Sequence, residues 1–284
     1  MISMNSIIRK LYWNIFKRHI YGITSPLRVL PDFIIIGAMK SGTTSLNYNI
    51  AEHPCVLPAA YDEIGFFDVN FELGFNWYRS LFPTTFQKKS IVSKHGYFAT
   101  GEDTPFYFWR EDAAIRIKQF LPKTKLLLLL RNPIDRAYSN YMDGFLRNTN
   151  IPSFEETIEK EIEIISNEKD YQLSQTNFKR YSRNPSHIAK GFYAEQLEIW
   201  FKHFPKEQFC IMSTEELSKN PVKTMNIIFD FLDLPLYQIK KPQKRKYKKY
   251  VPMKENTRNR LIDFYNSYNK KLYDLIEKNF DWDK

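Results

Sequence analysis

The sequence is poor in cysteine, in glycine and in long apolar runs, and each shortage argues against a class of protein. Only two cysteines occur in 284 residues, Cys55 and Cys210, which disfavours a disulfide scaffold and a cysteine-based metal site. Nine glycines and no evident repeat argue against propellers and solenoids. No apolar run approaches the roughly 18 to 20 residues that a membrane-spanning helix needs. A hydrophobic content of 43% instead indicates a globular protein.

Positive charge is in excess and unevenly spread. The net charge of +10 predicts an anionic partner such as a nucleotide, a nucleic acid, a membrane surface or an acidic polymer. The segment KKPQKRKYKKY, residues 240–250, carries seven basic and no acidic residues, which leaves +3 for the rest of the chain. The N-terminal segment, residues 1–30, is also basic and aromatic. It is interpreted either as an amphipathic helix that touches a membrane surface or as a short helix packed on the domain.

Short apolar runs alternate with helical patterns along the chain. Residues 33–36, 126–130 and 209–212 are continuous apolar runs, which is typical of strands buried in a parallel sheet. This alternation predicts an α/β domain with a parallel sheet, and no domain boundary is evident.

Helix signals follow each of the three runs. A helix is predicted to start near Thr43 or Thr44, another at Pro133, and a third after Ser213, which has a capping-box spacing with Glu216. Further amphipathic or charged helices are expected at residues 154–175, 220–235 and 256–280.

The segment FIIIGAMKSGTTSL, residues 33–46, has the features of a phosphate-binding loop. Gly37 and Gly42 have the spacing of the glycines in the pattern G-x-x-x-x-G-K-[ST]. Thr43 stands where that pattern has its lysine, and Lys40 lies between the glycines. A strand, a glycine turn and a helix N-terminus present backbone N–H groups to an anion. We therefore expect phosphate binding, and the alternative is simple helix capping beside a solvated lysine.

The position of the lysine disfavours a nucleoside triphosphate bound through Mg²⁺. Such a site needs a lysine at the β- and γ-phosphates and an acidic residue at the end of a later strand. Here the apolar run 126–130 ends in Arg131, which suits a second anionic group bound without a metal. The alternative is that Arg131 pairs with a carboxylate such as Asp135 while Ser139 faces solvent.

Two motifs together resemble the nucleotide-binding motifs of one enzyme family. FIIIGAMKSGTTSL and LLLLLRNPIDRAYSNY resemble those of sulfotransferases that use 3′-phosphoadenosine 5′-phosphosulfate, closest to the heparan-sulfate type and its bacterial relatives. HPCVLPAAYDEIGFFD, GEDTPFYF and GFYAEQLEIWFKHFP resemble other stretches of that family, so the likeness spans roughly residues 31–282. It implies a P-loop-like three-layer α/β fold, with a central parallel sheet flanked by helices, in a single sulfotransferase domain at residues 31–284.

The resemblance implies how the nucleotide, a co-substrate used without a metal, is bound. Five loop residues are expected to bind the 5′-phosphosulfate: Lys40, Ser41, Gly42, Thr43 and Thr44. Lys40 is also expected to neutralise the bridging oxygen as the sulfuryl group departs. Arg131 and Ser139 are expected to bind the 3′-phosphate. In the basic run, Lys244 and Arg245 are expected to close over the nucleotide, although a solvated segment or a docking patch for an acidic polysaccharide are alternatives.

The resemblance implies that Glu63, within DEIGFFD, is the catalytic base. Phe66 and Phe67 are expected to shield it from water and so to raise its pKa. If Glu63 is not the base, the next candidates are Asp62, Asp68 and His95. Two departures from the family leave the acceptor class open, because Gly65 replaces a usual histidine and Asp103 a frequent lysine.

The leading hypothesis is therefore a sulfotransferase that acts on a hydroxyl or amine, on a carbohydrate above other acceptors. The alternatives are a phosphoryl-transferring kinase and a basic nucleic-acid-binding protein. We expect a cytoplasmic enzyme with no nucleic-acid partner and no transmembrane segment.

Overall fold

The computed structural model describes residues 21–167, 186–239, 242 and 251–283. Within them the strands β1 (Phe33–Gly37), β2 (Gly101–Asp103), β3 (Lys125–Leu130) and β4 (Phe209–Ser213) form one sheet in the order β2-β1-β3-β4. Every neighbouring pair is parallel. The predicted parallel sheet is confirmed, with one strand more than the apolar runs indicate.

The additional strand, β2, is short and carries two acidic residues. Glu102 and Asp103 are both buried, and Asp103 pairs with Ile35 of β1. A Cβ atom at Gly101 would lie 2.4 Å from the ring of Phe33, so only glycine fits there. A three-residue Gly-Glu-Asp strand has no apolar signature, and for that reason the sequence does not reveal it.

The described ranges contain ten helices of six or more residues: α1 (Thr43–Ala51), α2 (Phe75–Ser80), α3 (Thr85–His95), α4 (Glu111–Phe120), α5 (Pro133–Phe145), α6 (Phe154–Asn167), α7 (Tyr193–Phe201), α8 (Thr214–Lys219), α9 (Pro221–Phe231) and α10 (Glu255–Ile276). Shorter helical turns occur at Tyr21–Ile23, Ser25–Leu27, Phe71–Leu73, Tyr107–Trp109, Ala189–Gly191 and Lys206–Gln208.

The predicted helix starts are confirmed where the structure describes them. Pro133 is the first residue of α5, and the side chain of Asn132 caps it by accepting a hydrogen bond from Ile134 N at 3.0 Å. Ser213 and Glu216 form the expected reciprocal capping box of α8. The end of the charged segment after residue 167, and residues 1–20, lie outside the described residues.

The sheet is the middle of three layers. Side chains alternate along β1 and β3, so that Ile34 and Leu128 face one core and Ile35 and Leu127 face the other. Helices α4 and α7 cover the first face, and α1 and α9 cover the second. This confirms the expected three-layer arrangement and brings the carboxyl ends of all four strands to one edge, where open α/β sheets bind ligands.

The last described residues dock beside that edge. Trp282 is buried, and its indole Nε1 donates to Glu215 Oε2 at 3.2 Å. The other oxygen of Glu215 accepts a hydrogen bond from the backbone N of Asn132 at 3.1 Å. A chain of contacts therefore joins the C-terminal segment to the backbone directly after β3.

Candidate functional site

The loop between β1 and α1 is held in a defined shape. Gly42 has φ 91° at the N-cap of α1, a conformation that glycine adopts without strain. Lys40 also has a positive φ, 72°, which side-chain-bearing residues rarely adopt. A Cβ atom at Gly37 would lie 2.5 Å from Cβ of Phe108, so the loop starts at a glycine for reasons of space.

Residues at the ends of β3 and β4 fix the loop from outside it. Arg131 Nη1 donates to the carbonyl oxygen of Lys40 at 3.1 Å. The hydroxyl of Thr214 lies 2.6 Å from the carbonyl oxygen of Ser41 and 2.9 Å from that of Leu130. Because the carbonyl groups of Lys40 and Ser41 are held by these donors, the loop is fixed to the ends of two neighbouring strands, β3 and β4.

The N-terminus of α1 suits an anion. No side chain caps it, so the first N–H groups of the helix keep their capacity for a ligand. Thr43 is buried and Thr44 half-buried in this first turn. Ser41 is fully buried, and its hydroxyl has no hydrogen-bond partner within the described residues.

Lys40 reaches across to α5. Its Nζ lies 3.5 Å from Asp143 Oδ1, with 27% of its side chain exposed. Asp143 also pairs with Arg147, which lies just past the end of α5, at 2.6 Å. A partly exposed pair at this distance is weak and exchangeable, so Lys40 can leave Asp143 for a bound anion.

The second predicted site lies at the start of α5. Arg131 follows β3 and is half-buried, and its own carbonyl oxygen accepts a hydrogen bond from the hydroxyl of Tyr193 at 2.9 Å. Ser139 is only 9% exposed. Asp135, the alternative partner considered for Arg131, forms an ion pair with Arg258. The arrangement therefore disagrees with a serine that merely faces solvent.

The segment that contains Glu63 is joined to α1 through carboxyl groups. The backbone N of Glu63 donates to the carbonyl oxygen of Asp103 at 2.8 Å. The amide nitrogen of Asn47 lies 2.8 Å from Asp103 Oδ1 and 3.4 Å from Asp62 Oδ1. Tyr48 donates to the second oxygen of Asp62 at 2.8 Å. Helix α1 thus begins at the loop that follows β1 and, one turn later, holds the acidic segment through Asn47 and Tyr48.

Asp103, on β2 beside this segment, has a strongly raised pKa. Burial, followed by repulsion from Asp62, Glu102 and Glu63, raises its pKa to about 8. Glu102 is also buried, and its pKa is raised to about 7 by burial, against hydrogen bonds from Thr104 and Tyr78. Both acids therefore hold a proton far above the pH at which an exposed carboxyl group loses it.

The expected shielding of Glu63 is wrong. Phe66 and Phe67 lie fully in the core, whereas Glu63 is exposed and has φ 50°. The aromatic pair therefore anchors the segment and does not cover the carboxylate. Gly65 has φ 62°, and a Cβ atom there would lie 3.1 Å from Asp68 Oδ1, so the backbone at this position favours glycine over any larger residue.

Sequence reasoning missed several residues of the site and could not place others. Asn47 and Thr214 have no local signature, because their roles depend on contacts with distant segments. Lys244 and Arg245 lie outside the described residues. Within the described ranges no cluster of His, Cys, Asp and Glu is suited to a metal ion. None of the helices described is both long and apolar enough to span a membrane.

Comparisons with known proteins give a consistent result. The family model described as Sulfotransferase domain matches residues 30–272. The chain is 28% identical to the membrane-associated sulfotransferase kil1 of Dictyostelium discoideum, over 92% of this chain and 68% of that protein. It is 31% identical to heparan sulfate glucosamine 3-O-sulfotransferase 3A1 of Mus musculus, over 89% of this chain and 65% of that protein. The chain therefore spans about two thirds of the length of these curated relatives.

A solved structure agrees with these relatives. The crystal structure of a sulfotransferase from Alicyclobacillus acidocaldarius superposes with a TM-score of 0.66 at 26% identity, and the match covers 90% of this chain and 100% of that one.

Proposed function

Because the chain belongs to the sulfotransferase family, we propose that it transfers a sulfuryl group from 3′-phosphoadenosine 5′-phosphosulfate to a hydroxyl group of a carbohydrate. The observation that carries this proposal is the loop before α1, which presents a helix N-terminus and a lysine to an anion and is fixed by Arg131 and Thr214.

The loop is suited to the 5′-phosphosulfate. Backbone N–H groups at Gly42, Thr43 and Thr44, together with the Ser41 hydroxyl, supply donors at the positive end of the α1 dipole. Lys40 exchanges Asp143 for the bridging oxygen of the phosphosulfate. Because that oxygen gains charge only as its bond to sulfur breaks, Lys40 acts mainly in the transition state.

Arg131 and Ser139 are proposed to bind the 3′-phosphate. The planar guanidinium suits paired bonds to phosphate oxygens, and Arg131 already touches the loop through Lys40 O. One side chain would thus link the two phosphate sites. Lys244 and Arg245 are proposed to add positive charge over the bound nucleotide, as the resemblance implies.

Glu63 is proposed as the general base. The acceptor oxygen attacks sulfur, the sulfur–oxygen bond to the 5′-phosphate breaks, and Glu63 takes the proton of the acceptor hydroxyl. The products are the sulfate ester, 3′,5′-adenosine bisphosphate and a protonated Glu63 that returns its proton to solvent. The exposed position of Glu63 is consistent with access by an acceptor that arrives from solution.

A carbohydrate acceptor is supported by the mouse relative, whose name specifies the glucosamine of heparan sulfate. Transfer to an amine is the same chemistry with nitrogen as the nucleophile and stays an alternative. The cytoplasmic location that the sequence suggests stays a prediction.

The proposal is tested by thermal unfolding with nucleotides. The bisphosphate should raise the melting temperature without any metal, because a ligand that binds only the native state stabilises it by mass action. Adenosine 5′-monophosphate should stabilise much less, since it leaves Arg131 and Ser139 unfilled.

Thermal unfolding with ATP and Mg²⁺ distinguishes the proposed sulfotransferase from the kinase alternative. Greater stabilisation by ATP with Mg²⁺ than by the bisphosphate would overturn the proposal in favour of phosphoryl transfer. Salt-dependent binding of DNA or RNA without any nucleotide effect would instead favour a nucleic-acid-binding protein.

A further inference from the structure

Helix α3 makes little contact with the rest of the protein. None of its eleven residues is buried, and nine are exposed. The helix is instead stabilised at its own ends, because Thr84 and Gln87 form a capping box and Gly96 follows its last residue with φ 81°. Within the described residues, such a helix leaves its outer side uncovered.

The outer side of α3 carries an aromatic ring and positive charge. Ile91 and His95 are half-buried and mark the inner side of the helix. With about 100° between successive residues of a helix, Phe86 and Lys89 lie opposite them. Phe86 is 79% exposed, although phenylalanine is usually buried, and Lys89 and Lys94 are exposed as well. This combination suits a partner that offers both an apolar and an anionic surface.

Further exposed apolar side chains lie beside the start of α3. Ile23 is 77% exposed and Leu27 is 64% exposed, in two short helical turns. An antiparallel bridge pairs Arg28 with Thr84, the residue that caps α3. Leu27 and Phe86 therefore lie within two residues of one bridge, on the same part of the surface. Exposed apolar side chains that are grouped in this way indicate an interaction surface.

The two segments that meet at this bridge are basic. Residues 1–31 and 73–101 contain nine arginine and lysine residues and no aspartate or glutamate. Arg79 Nε donates to the carbonyl oxygen of Arg28 at 2.8 Å, which joins the two segments a second time. Residues 1–20 lie outside the described residues, and their sequence adds only positive charge. The charge of these segments favours an anionic partner.

Helix α3 lies near the edge of the sheet opposite the loop before α1. On its inner side, Lys88 Nζ lies 5.4 Å from the ring centre of Phe98, three residues before β2. The charge of Lys88 also acts on the carboxyl group of Asp32, directly before β1. The amino ends of the parallel strands meet at this edge, whereas the proposed nucleotide site lies at their carboxyl ends. A partner on the outer side of α3 would therefore leave the nucleotide site open.

We propose that this part of the protein binds the surface of an anionic lipid bilayer. The docking surface, called the α3 face, consists of Ile23, Leu27, Phe86, Lys88, Lys89 and Lys94. Its three apolar side chains would enter the boundary between headgroups and acyl chains, and its three lysines would bind lipid phosphate groups. A dissolved acidic polymer would account for the lysines alone, whereas a lipid surface accounts for the exposed apolar side chains as well. Membrane docking of this kind does not depend on sulfuryl transfer.

Sedimentation of the whole chain with lipid vesicles tests the α3 face. Wild type should bind vesicles of phosphatidylcholine that contain about 30 mol% phosphatidylserine, and binding should weaken as the salt concentration rises. Phe86→Ser should bind these vesicles about tenfold more weakly. Phe86→Trp should bind at least as tightly as wild type, because indole suits the headgroup boundary. Replacement of both Lys88 and Lys89 by glutamine should weaken binding by about tenfold or more.

Val251→Ser is the matched control for Phe86→Ser. Val251 is 76% exposed and lies beside α5, where its carbonyl oxygen accepts a hydrogen bond from the hydroxyl of Tyr138 at 2.6 Å. Its replacement removes a similarly exposed apolar side chain outside the α3 face, so vesicle binding should equal that of wild type. The variants should also melt at the wild-type temperature, because none of the replaced side chains belongs to the core.

The comparison among variants decides the assignment, because residues 1–20 are themselves basic and aromatic. Equal binding of wild type and Phe86→Ser to the anionic vesicles would overturn it and leave the N-terminal residues as the lipid contact. Wild type that ignores vesicles but binds heparin through Lys88 and Lys89 would assign the face to an acidic polysaccharide instead. Wild type that ignores vesicles, with a lower melting temperature for Phe86→Ser, would show that residues 1–20 cover the face, which also overturns the proposal.

Discussion

At the scale of the residue, Lys40 and Arg131 belong to one connected unit but have different tasks. Lys40 has its ammonium group on Asp143 and its carbonyl oxygen on Arg131, so one residue receives contacts from both predicted phosphate sites. The ammonium group can follow a moving charge, whereas the guanidinium is engaged in holding the loop.

The two substitutions should therefore separate turnover from binding. Lys40→Ala should lower kcat more than it weakens binding of the bisphosphate, because we propose that its charge acts on the departing oxygen. Arg131→Ala should chiefly weaken bisphosphate binding, by roughly 2 to 5 kcal/mol for a largely desolvated pair. Titration calorimetry measures bisphosphate binding, and initial rates measure kcat. Arg131→Lys is the matched control, because it keeps the positive charge but loses the planar guanidinium group that can make paired hydrogen bonds. Equal losses of binding with unchanged kcat would mean that Lys40 is only an anchor.

Glu63 and Asp62 are adjacent exposed acids with different surroundings, which makes them a natural pair for comparison. Glu63→Gln keeps the shape and removes the basicity, so turnover should fall by roughly 10²-fold or more, the usual scale for a general base. Bisphosphate affinity should not change, since Glu63 is proposed to act on the acceptor side of the sulfur. Asp62→Asn, which removes a charge that contacts Tyr48 and Asn47 and repels Asp103, should retain most of the activity. If Glu63→Gln turns over the best acceptor of a carbohydrate panel as fast as wild type, another residue is the base.

At the scale of the element, the loop before α1 is a joint between three strands. It continues β1, its carbonyl groups are held from the ends of β3 and β4, and the helix that follows reaches β2 through Asn47 and Asp103. Ligand-binding geometry at this edge is thus a property of the whole sheet.

Thr214 is the contact of this joint that can be removed most cleanly. Thr214→Val keeps the shape but leaves Ser41 O and Leu130 O without the hydroxyl, at a cost on the order of 1 to 2 kcal/mol in unfolding free energy. Bisphosphate affinity should fall by about tenfold as the loop loosens. Urea unfolding and calorimetry provide both numbers. Thr214→Ser retains the hydroxyl and should behave as wild type; if both variants bind alike, the hydrogen bond does not shape the loop.

The elements also show where sequence reasoning succeeds and where it fails. Strands β1, β3 and β4 are continuous apolar runs, and α5 and α8 carry their own proline or capping signals, so local patterns sufficed for them. Strand β2 is buried because other segments cover it, although two of its three residues are acidic. A local sequence pattern cannot predict such a strand. In the site, the loop residues follow from spacing. The shared amide of Asn47 and the exposure of Glu63 depend on contacts 15 to 56 residues apart in the chain.

At the scale of the whole molecule, buried acids give the fold a dependence on pH. Asp103 and Glu102 have pKa values of about 8 and 7 in the folded chain, raised mainly by burial, whereas exposed carboxyl groups titrate near 4. Between these limits the native state binds protons that the unfolded state has released. The free energy of unfolding should therefore fall as the pH rises from about 4 to about 8.

Asp103→Asn removes one of the carboxyl groups that binds a proton only in the native state. The free energy of unfolding should therefore decrease less steeply with pH in this variant. We expect the loss of stability between pH 5 and pH 8 to shrink by on the order of 3 to 4 kcal/mol, since folded Asp103 keeps its proton over most of these three pH units and each unit corresponds to about 1.4 kcal/mol. Urea unfolding at the two pH values measures this difference. Asp62→Asn removes the charge that repels Asp103 most strongly, so it should lower the pKa of Asp103 and shrink the difference by a smaller amount. A pH dependence in Asp103→Asn equal to that of wild type would show that Asp103 does not carry the buried proton.

The chain of contacts from Trp282 through Glu215 to Asn132 gives the molecule an intrinsic optical probe. Indole emission responds to the field of nearby charges, and this indole hydrogen-bonds a carboxylate whose other oxygen holds the peptide group directly after Arg131. A phosphate arriving at Arg131 would shift that peptide and the field at the ring together. Tryptophan fluorescence should therefore follow occupancy of the nucleotide site in real time without any label, and Trp282→Phe should remove that part of the signal.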